Sequence, residues 1–140
     1  MLNLIRFFQV IHIKKSLVHK QLFLWAAILW AGIIAFFCLV QLNSVPLGSV
    51  SNIDKYVHAF FHFVLTSFCY LFLKNKMNSL NNHKPLAFSF LFSFFFGIGI
   101  EISQELFTAT RHADVYDVSA NASGAVLAVA IAVLFNKKRV

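Results

Sequence analysis

Ionisable and amide side chains recur at helical spacing in three separate apolar stretches of this chain. Asp54, His58, His62 and Thr66 follow one another at intervals of four residues. So do Ser89, Ser93, Gly97, Glu101 and Glu105, with Gln104 three residues beyond Glu101. Asp117 and Asn121 form a third pair at the same spacing. Residues four apart share one helix face, so each set makes a stripe. A buried Glu that keeps its proton beside a His or a second carboxylate is equipped for general acid–base chemistry. Arg111 adds a guanidinium that can grip a phosphate with two parallel hydrogen bonds. His58 with Glu101 and Glu105 offers donors for a divalent ion, but no tight H-E-x-x-H motif is present, so the sequence assigns no metal ligand and names no cofactor. Serine-triad chemistry lacks its G-x-S-x-G turn. A proton-relay transporter needs a continuous polar path, whereas these groups crowd one end of their helices. The stripes also have a structural reading, in which an ion-paired interior only holds helices together.

The elements that must carry these stripes are membrane spans. The chain has 140 residues, one domain by length. It is 59% hydrophobic and only 12% charged, roughly half the charged fraction of an ordinary globular protein. Its eighteen Phe residues exceed what a soluble core of this size can hide, and lipid is their natural solvent. Cys38 and Cys69 lie inside apolar runs and read as small buried hydrophobes. Four uncharged or nearly uncharged stretches, at about 22–42, 56–73, 86–106 and 118–135, are long enough to cross a bilayer. Helices are required because each span must satisfy its own backbone in lipid. The first span lacks a small-residue cleavage site and is expected to stay. Residues 1–21 read as a basic amphipathic segment on the cytoplasmic surface, or as an extension of the first span. Residues 137–140 form a basic tail, and His12, His19 and His83 read as surface residues on the same side. The row Ala120, Gly124, Ala128 and Ala132 suits close helix packing.

Charge gives the orientation. All five acidic residues fall near one end of the spans, and of twelve Lys and Arg residues only Lys55 and Arg111 join them. Cationic loops stay cytoplasmic, so both termini are expected inside and the acidic end outside. The same bias accounts for the net charge of +7 without a nucleic-acid partner. The expected fold is an all-α, polytopic membrane protein with four transmembrane helices in a bundle and both termini cytoplasmic.

Asp54-Lys55-Tyr56-Val57-His58 resembles the D-K-x-x-H element that opens a helix in the VanZ-like family of bacterial membrane proteins. Glu101-Ile102-Ser103-Gln104, then Arg111, Asp114, Asp117, Asn121 and Gly124, is similar to that family's second block, E-x-x-Q, R, then D-x-x-D-x-x-x-N-x-x-G. The resemblance covers roughly residues 50–135. It implies a multi-pass protein of the bacterial inner membrane with a bearing on susceptibility to glycopeptide or other amphiphilic antibiotics, and it carries no reaction with it. Glu105 and His62 rest on helical spacing alone. Together the residues suggest an outward-facing polar pocket that recognises or modifies a lipid headgroup or a lipid-linked cell-wall precursor. Glu101, His58, Asp54 and Asp117 are the candidate catalytic set. Arg111, Gln104, Asn121, Glu105, Asp114 and Lys55 are the candidate substrate contacts. Enzyme and non-enzymatic binder both remain open.

Overall fold

The computed structural model describes residues 2–40, 53–77, 83–108 and 113–137, with side chains from Lys20 onward. Helix α1 spans Leu2–Leu39, α2 Ile53–Met77, α3 His83–Phe107 and α4 Val115–Lys137. Each contains a stretch of 20 residues or more that is apolar enough to cross a membrane. At a rise of roughly 1.5 Å per residue, twenty residues cover the hydrocarbon core of about 30 Å. The chain is a four-helix, multi-pass membrane bundle.

α2, α3 and α4 run past both ends of their expected spans, while α1 starts well before residue 22 and ends at Leu39, short of residue 42; the reasons for the earlier starts are local. α2 begins at Ile53, which puts Asp54 in its first turn, while Lys74 and Lys76 occupy its last. Both placements complement the helix dipole. α3 starts early enough to take Pro85 into its first turn, where a missing N–H leaves nothing unsatisfied. α4 begins at Val115, three residues before the expected start, so Asp117 belongs to its first turn. Asp114 is its N-cap, with Oδ1 accepting a hydrogen bond of 2.8 Å from the Tyr116 N–H. α1 passes residue 21 without a break, so the basic amino-terminal segment and the first span share one helix.

α2 is the central element. It packs most extensively on α4 and also touches α1 and α3. α3 packs on α4 and, less closely, on α1, while α1 and α4 do not meet among the described residues. Contacts at the ends fix the directions. Lys55 at the start of α2 reaches Asp117 at the start of α4, and Lys74 near the end of α2 reaches Asn136 near the end of α4. Gln104 late in α3 bonds the Cys38 carbonyl late in α1. Hence α2 and α4 run parallel, opposed to α1 and α3.

Two seams of different chemistry hold the bundle. The seam toward α1 is apolar, with Ala27, Ile34, Cys38, Leu65, Cys69 and Ile100 buried together. Trp30 anchors it. Its indole N–H donates to the Phe61 carbonyl at 3.0 Å, and its ring meets Phe60, Phe61 and Phe68 edge-on. The faces of α2, α3 and α4 bury His58, His62, Thr66, Ser89, Ser93, Glu101, Gln104 and Asn121 instead. Trp25, Phe60, Phe92 and Phe95 point outward, as side chains dissolved in acyl chains should.

The α2–α4 contact depends on one missing side chain. A Cβ placed on Gly124 would collide with the Ala59 carbonyl oxygen and stand 2.7 Å from its carbon. The obstruction is backbone, which cannot swing aside. Gly124→Ala is therefore expected to destabilise the bundle by about 1–3 kcal/mol through overpacking. Gly99→Ala, where nothing lies within 4 Å of the new methyl, is expected to be neutral or slightly stabilising. Denaturation of the two variants in mixed micelles checks this. Equal stabilities would remove Gly124 as the point of closest approach.

Candidate functional site

Three helix ends meet at the acidic end of the bundle: the starts of α2 and α4 and the finish of α3. The two parallel N-termini place partial positive charge side by side, which favours carboxylates there. Asp54, Asp114 and Asp117 take those places, and Lys55 gathers them. Its ammonium stands 3.2 Å from Asp114 Oδ2, 3.2 Å from Asp117 Oδ1 and 3.5 Å from Asp54 Oδ2. It also lies 5.9 Å from the centre of the Tyr116 ring. Asp54 is exposed, Asp114 and Lys55 are half-buried, and Asp117 is mostly covered. One helix pair is thus bridged by a lysine shared among three acids.

Beneath this rim lies a buried second layer. Glu101 is only 2% exposed. Its Oε2 accepts a hydrogen bond of 3.3 Å from the Asp114 backbone N–H, tying α3 to the cap of α4. Its Oε1 stands 3.7 Å from His58 Nδ1 and has no hydrogen-bond partner. The same imidazole nitrogen lies 3.1 Å from Asn121 Oδ1. Side chains from α2, α3 and α4 therefore meet at one point, with the imidazole bonded to Asn121 and close to the carboxylate without a hydrogen bond to it.

Deeper still, His62 Nδ1 contacts Ser93 Oγ at 2.9 Å. Gly97 lies between the layers, because a Cβ there would come within 2.9 Å of His62 Cε1 and 3.0 Å of Asn121 Nδ2. His62 Nε2, Thr66 Oγ1 and Asn121 Nδ2 are buried without partners. A polar line thus continues from the rim into the bundle.

The candidates divide by position. His58, Glu101, Asp117 and Asn121 converge, and Lys55 with Asp114 forms the rim above them. Asp54 joins through Lys55 and does not approach His58 closely enough to bond it. Gln104 is buried, and its Nε2 donates to the Cys38 carbonyl at 3.0 Å, so it braces α1. Glu105 departs from its stripe: it is exposed, and its Oε2 receives the Ala113 N–H at 2.8 Å. It holds the approach to α4 and stands apart from the buried layer. Arg111 lies outside the described residues.

Two features were not singled out from the sequence. A groove of about 490 Å³ runs beside the rim between α2 and α4, lined by Lys55, Tyr56, Ala59, Tyr116 and Ala120. Its signal was available in the interfacial tyrosines, which favour the boundary between lipid and water. At the opposite end Lys74 donates to Asn136 at 2.6 Å, and Asn136 donates to the Tyr70 hydroxyl at 2.7 Å. Tyr70 continues the line of Asp54, His58, His62 and Thr66 by one further step of four.

Asp114 titrates below the ordinary carboxylate range, first because the Tyr116 N–H bonds its charged form, then because Lys55 stands beside it. A carboxyl held low in the folded state contributes stability that is complete above about pH 4 and is lost as the pH falls through the lower folded value. Asp114→Asn keeps the helix cap and removes the charge. Its unfolding midpoint is expected to change less than that of the unaltered chain between pH 5 and pH 2. An undiminished acid limb in this variant would show that Asp114 carries none of it.

Comparison with curated proteins and with solved structures finds no match in either. The profile of one family does match, over residues 3–136, which takes in the four helices except Leu2 and Lys137 and every residue of the cluster. The chain belongs to the VanZ/LLP1 family.

Proposed function

We propose that the acidic end of the bundle faces the outside of a bacterial inner membrane and recognises the headgroup of a lipid or lipid-linked envelope precursor. The observation that carries this reading is the charge balance at the rim. Lys55 is shared by Asp54, Asp114 and Asp117, so the rim as a whole is acidic and rich in acceptors. A ligand that complements it brings hydrogen-bond donors, such as the ammonium or hydroxyl groups of a headgroup. The groove between Tyr56 and Tyr116 opens beside that rim and is lined mainly by apolar surface, which suits the first carbons of a lipid. Arg111 keeps the anion-contact role that its sequence position suggests. Below, His58 and Glu101 supply a proton donor and acceptor should the headgroup be altered as well as held. Altered surface lipids would in turn change susceptibility to amphiphilic antibiotics.

A second reading rests on a different observation. Lys55, Asn121 and Gln104 all spend their hydrogen bonds between helices, as a cluster that only fastens the bundle would require. The two readings part on Glu101→Gln and His58→Asn. Headgroup chemistry predicts that lipid extracts of expressing cells gain or lose a species several-fold. Both variants should abolish that change while membrane insertion stays at the unaltered level. Headgroup binding without chemistry predicts no new species, but a lipid that co-purifies with the chain and is reduced about tenfold when Asp54 and Asp114 become Asn. A fastening role predicts instead a fall in protein abundance with unchanged lipids. Unchanged extracts together with no retained lipid would sink the headgroup proposal.

A further inference from the structure

Glu101 Oε1 is a carboxylate oxygen sealed inside a membrane bundle with nothing donating to it. The cluster's ammonium does not serve it, since Lys55 is engaged by Asp54, Asp114 and Asp117. The backbone N–H of Asp114 reaches only the other oxygen of Glu101. A charged group in such a place normally has a partner, because hydrocarbon offers none. Around that oxygen stand further donors of electron pairs. One ligand atom each from His58, Glu101 and Asp117, on three different helices, all lie within 4.8 Å of one another.

We propose that His58, Glu101 and Asp117 bind one divalent transition-metal ion, of the Zn²⁺ or Mn²⁺ class. Imidazole with two carboxylates is a mixed nitrogen and oxygen set, which suits these ions better than Ca²⁺, whose sites are built from oxygen alone. The spacing fits without rearranging the helices. The centre of a triangle with 4.8 Å sides stands about 2.8 Å from each corner, and bonds of roughly 2.0–2.2 Å need each side chain to close in by less than an ångström. Charge favours the ion too. Among the described residues, Asp54, Asp114, Asp117 and Glu101 set four carboxylates against the single ammonium of Lys55. Two added positive charges reduce that excess from three to one. Outer contacts already hold two of the ligands in place, as metal sites require: the Asp114 N–H on Glu101 and Lys55 on Asp117. Three protein ligands leave a coordination position open. The helical stripes alone had grouped His58 and Glu101 with Glu105; the geometry replaces Glu105 by Asp117, because α4 and not the last turn of α3 closes the triangle. This site stands whether or not the rim binds a headgroup.

The test is calorimetric titration of the full-length chain, purified in detergent and stripped with a chelator, with ZnCl₂ and with MnCl₂. One ion per chain is expected for at least one metal. Glu101→Gln, His58→Asn and Asp117→Asn should each weaken binding by about tenfold or more, while His83→Asn, at the far end, leaves it unchanged. X-ray absorption of the zinc-loaded unaltered chain should show a nitrogen and oxygen shell with one imidazole, and this readout needs no variant to fold. Absence of saturable binding by both ions would overturn the proposal. So would loss of binding in His83→Asn equal to that in His58→Asn, or a shell containing sulfur.

Discussion

An ionisable carboxyl group inside a bilayer protein must be compensated by something close at hand, and the placement of Glu101 organises everything around it. Water is not available to solvate it, and a carboxylate near a helix C-terminus also opposes the dipole. Its neighbours answer them in part, leaving one oxygen without a hydrogen bond. The Asp114 N–H approaches one oxygen, and the His58 ring faces the other. Those partners come from α2 and from the entry to α4, so satisfying Glu101 brings three helices to one point. Lys55 then draws the starts of α2 and α4 together above it. The acid is thus the reason that the rim, the buried layer and the groove share one end of the bundle.

The rest of the fold divides the work between apolar and polar contact. Lipid tails are as apolar as Leu, so helices in a membrane gain little from hiding hydrophobic surface against each other. Close approach and hydrogen bonds must supply the association. Gly124 provides the approach by letting α4 lie on the Ala59 backbone. Gly97 does the same for His62 and Asn121. Small side chains at Ser89, Ser93 and Ala128 are buried in the same region. α1 is fastened differently, through Trp30, the aromatic rings around it and Gln104. Substitutions in the polar seam are therefore able to disturb hydrogen bonding as well as packing, whereas those on the α1 side, Trp30 and Gln104 apart, disturb packing alone.

Much of this was legible in residue types and spacing. Four apolar stretches gave the four helices, and the stripe containing Ser89, Ser93, Gly97 and Glu101 is buried throughout. The line from Asp54 through His58 and His62 to Thr66 is buried except at its exposed first residue. Helical spacing assigns a face but says nothing of where that face ends. Glu105 shares the stripe of Glu101 yet sits one turn nearer the end of α3, where the bundle opens, so it turns to the Ala113 N–H instead. Neighbour relations were hidden for the same reason. Nothing in the spacing says that Gln104 braces a carbonyl of α1, whereas the grouping of Asp117 with His58 and Glu101 was already in the candidate set. The start of α4 was placed late because Val115 and Tyr116 precede an acidic residue, and the cap formed by Asp114 is what lets the helix begin there.

The central claim is that His58 on α2 and Glu101 on α3 act on each other inside the bundle. A double-mutant cycle on Glu101→Gln and His58→Asn, read as unfolding free energy of the metal-free chain in mixed micelles, measures that interaction directly. The structure predicts a coupling of about 1–2 kcal/mol, within the range for contacting groups in a shared network. Effects that simply add, to within about 0.3 kcal/mol, would contradict it and leave the two side chains as independent occupants of separate sites.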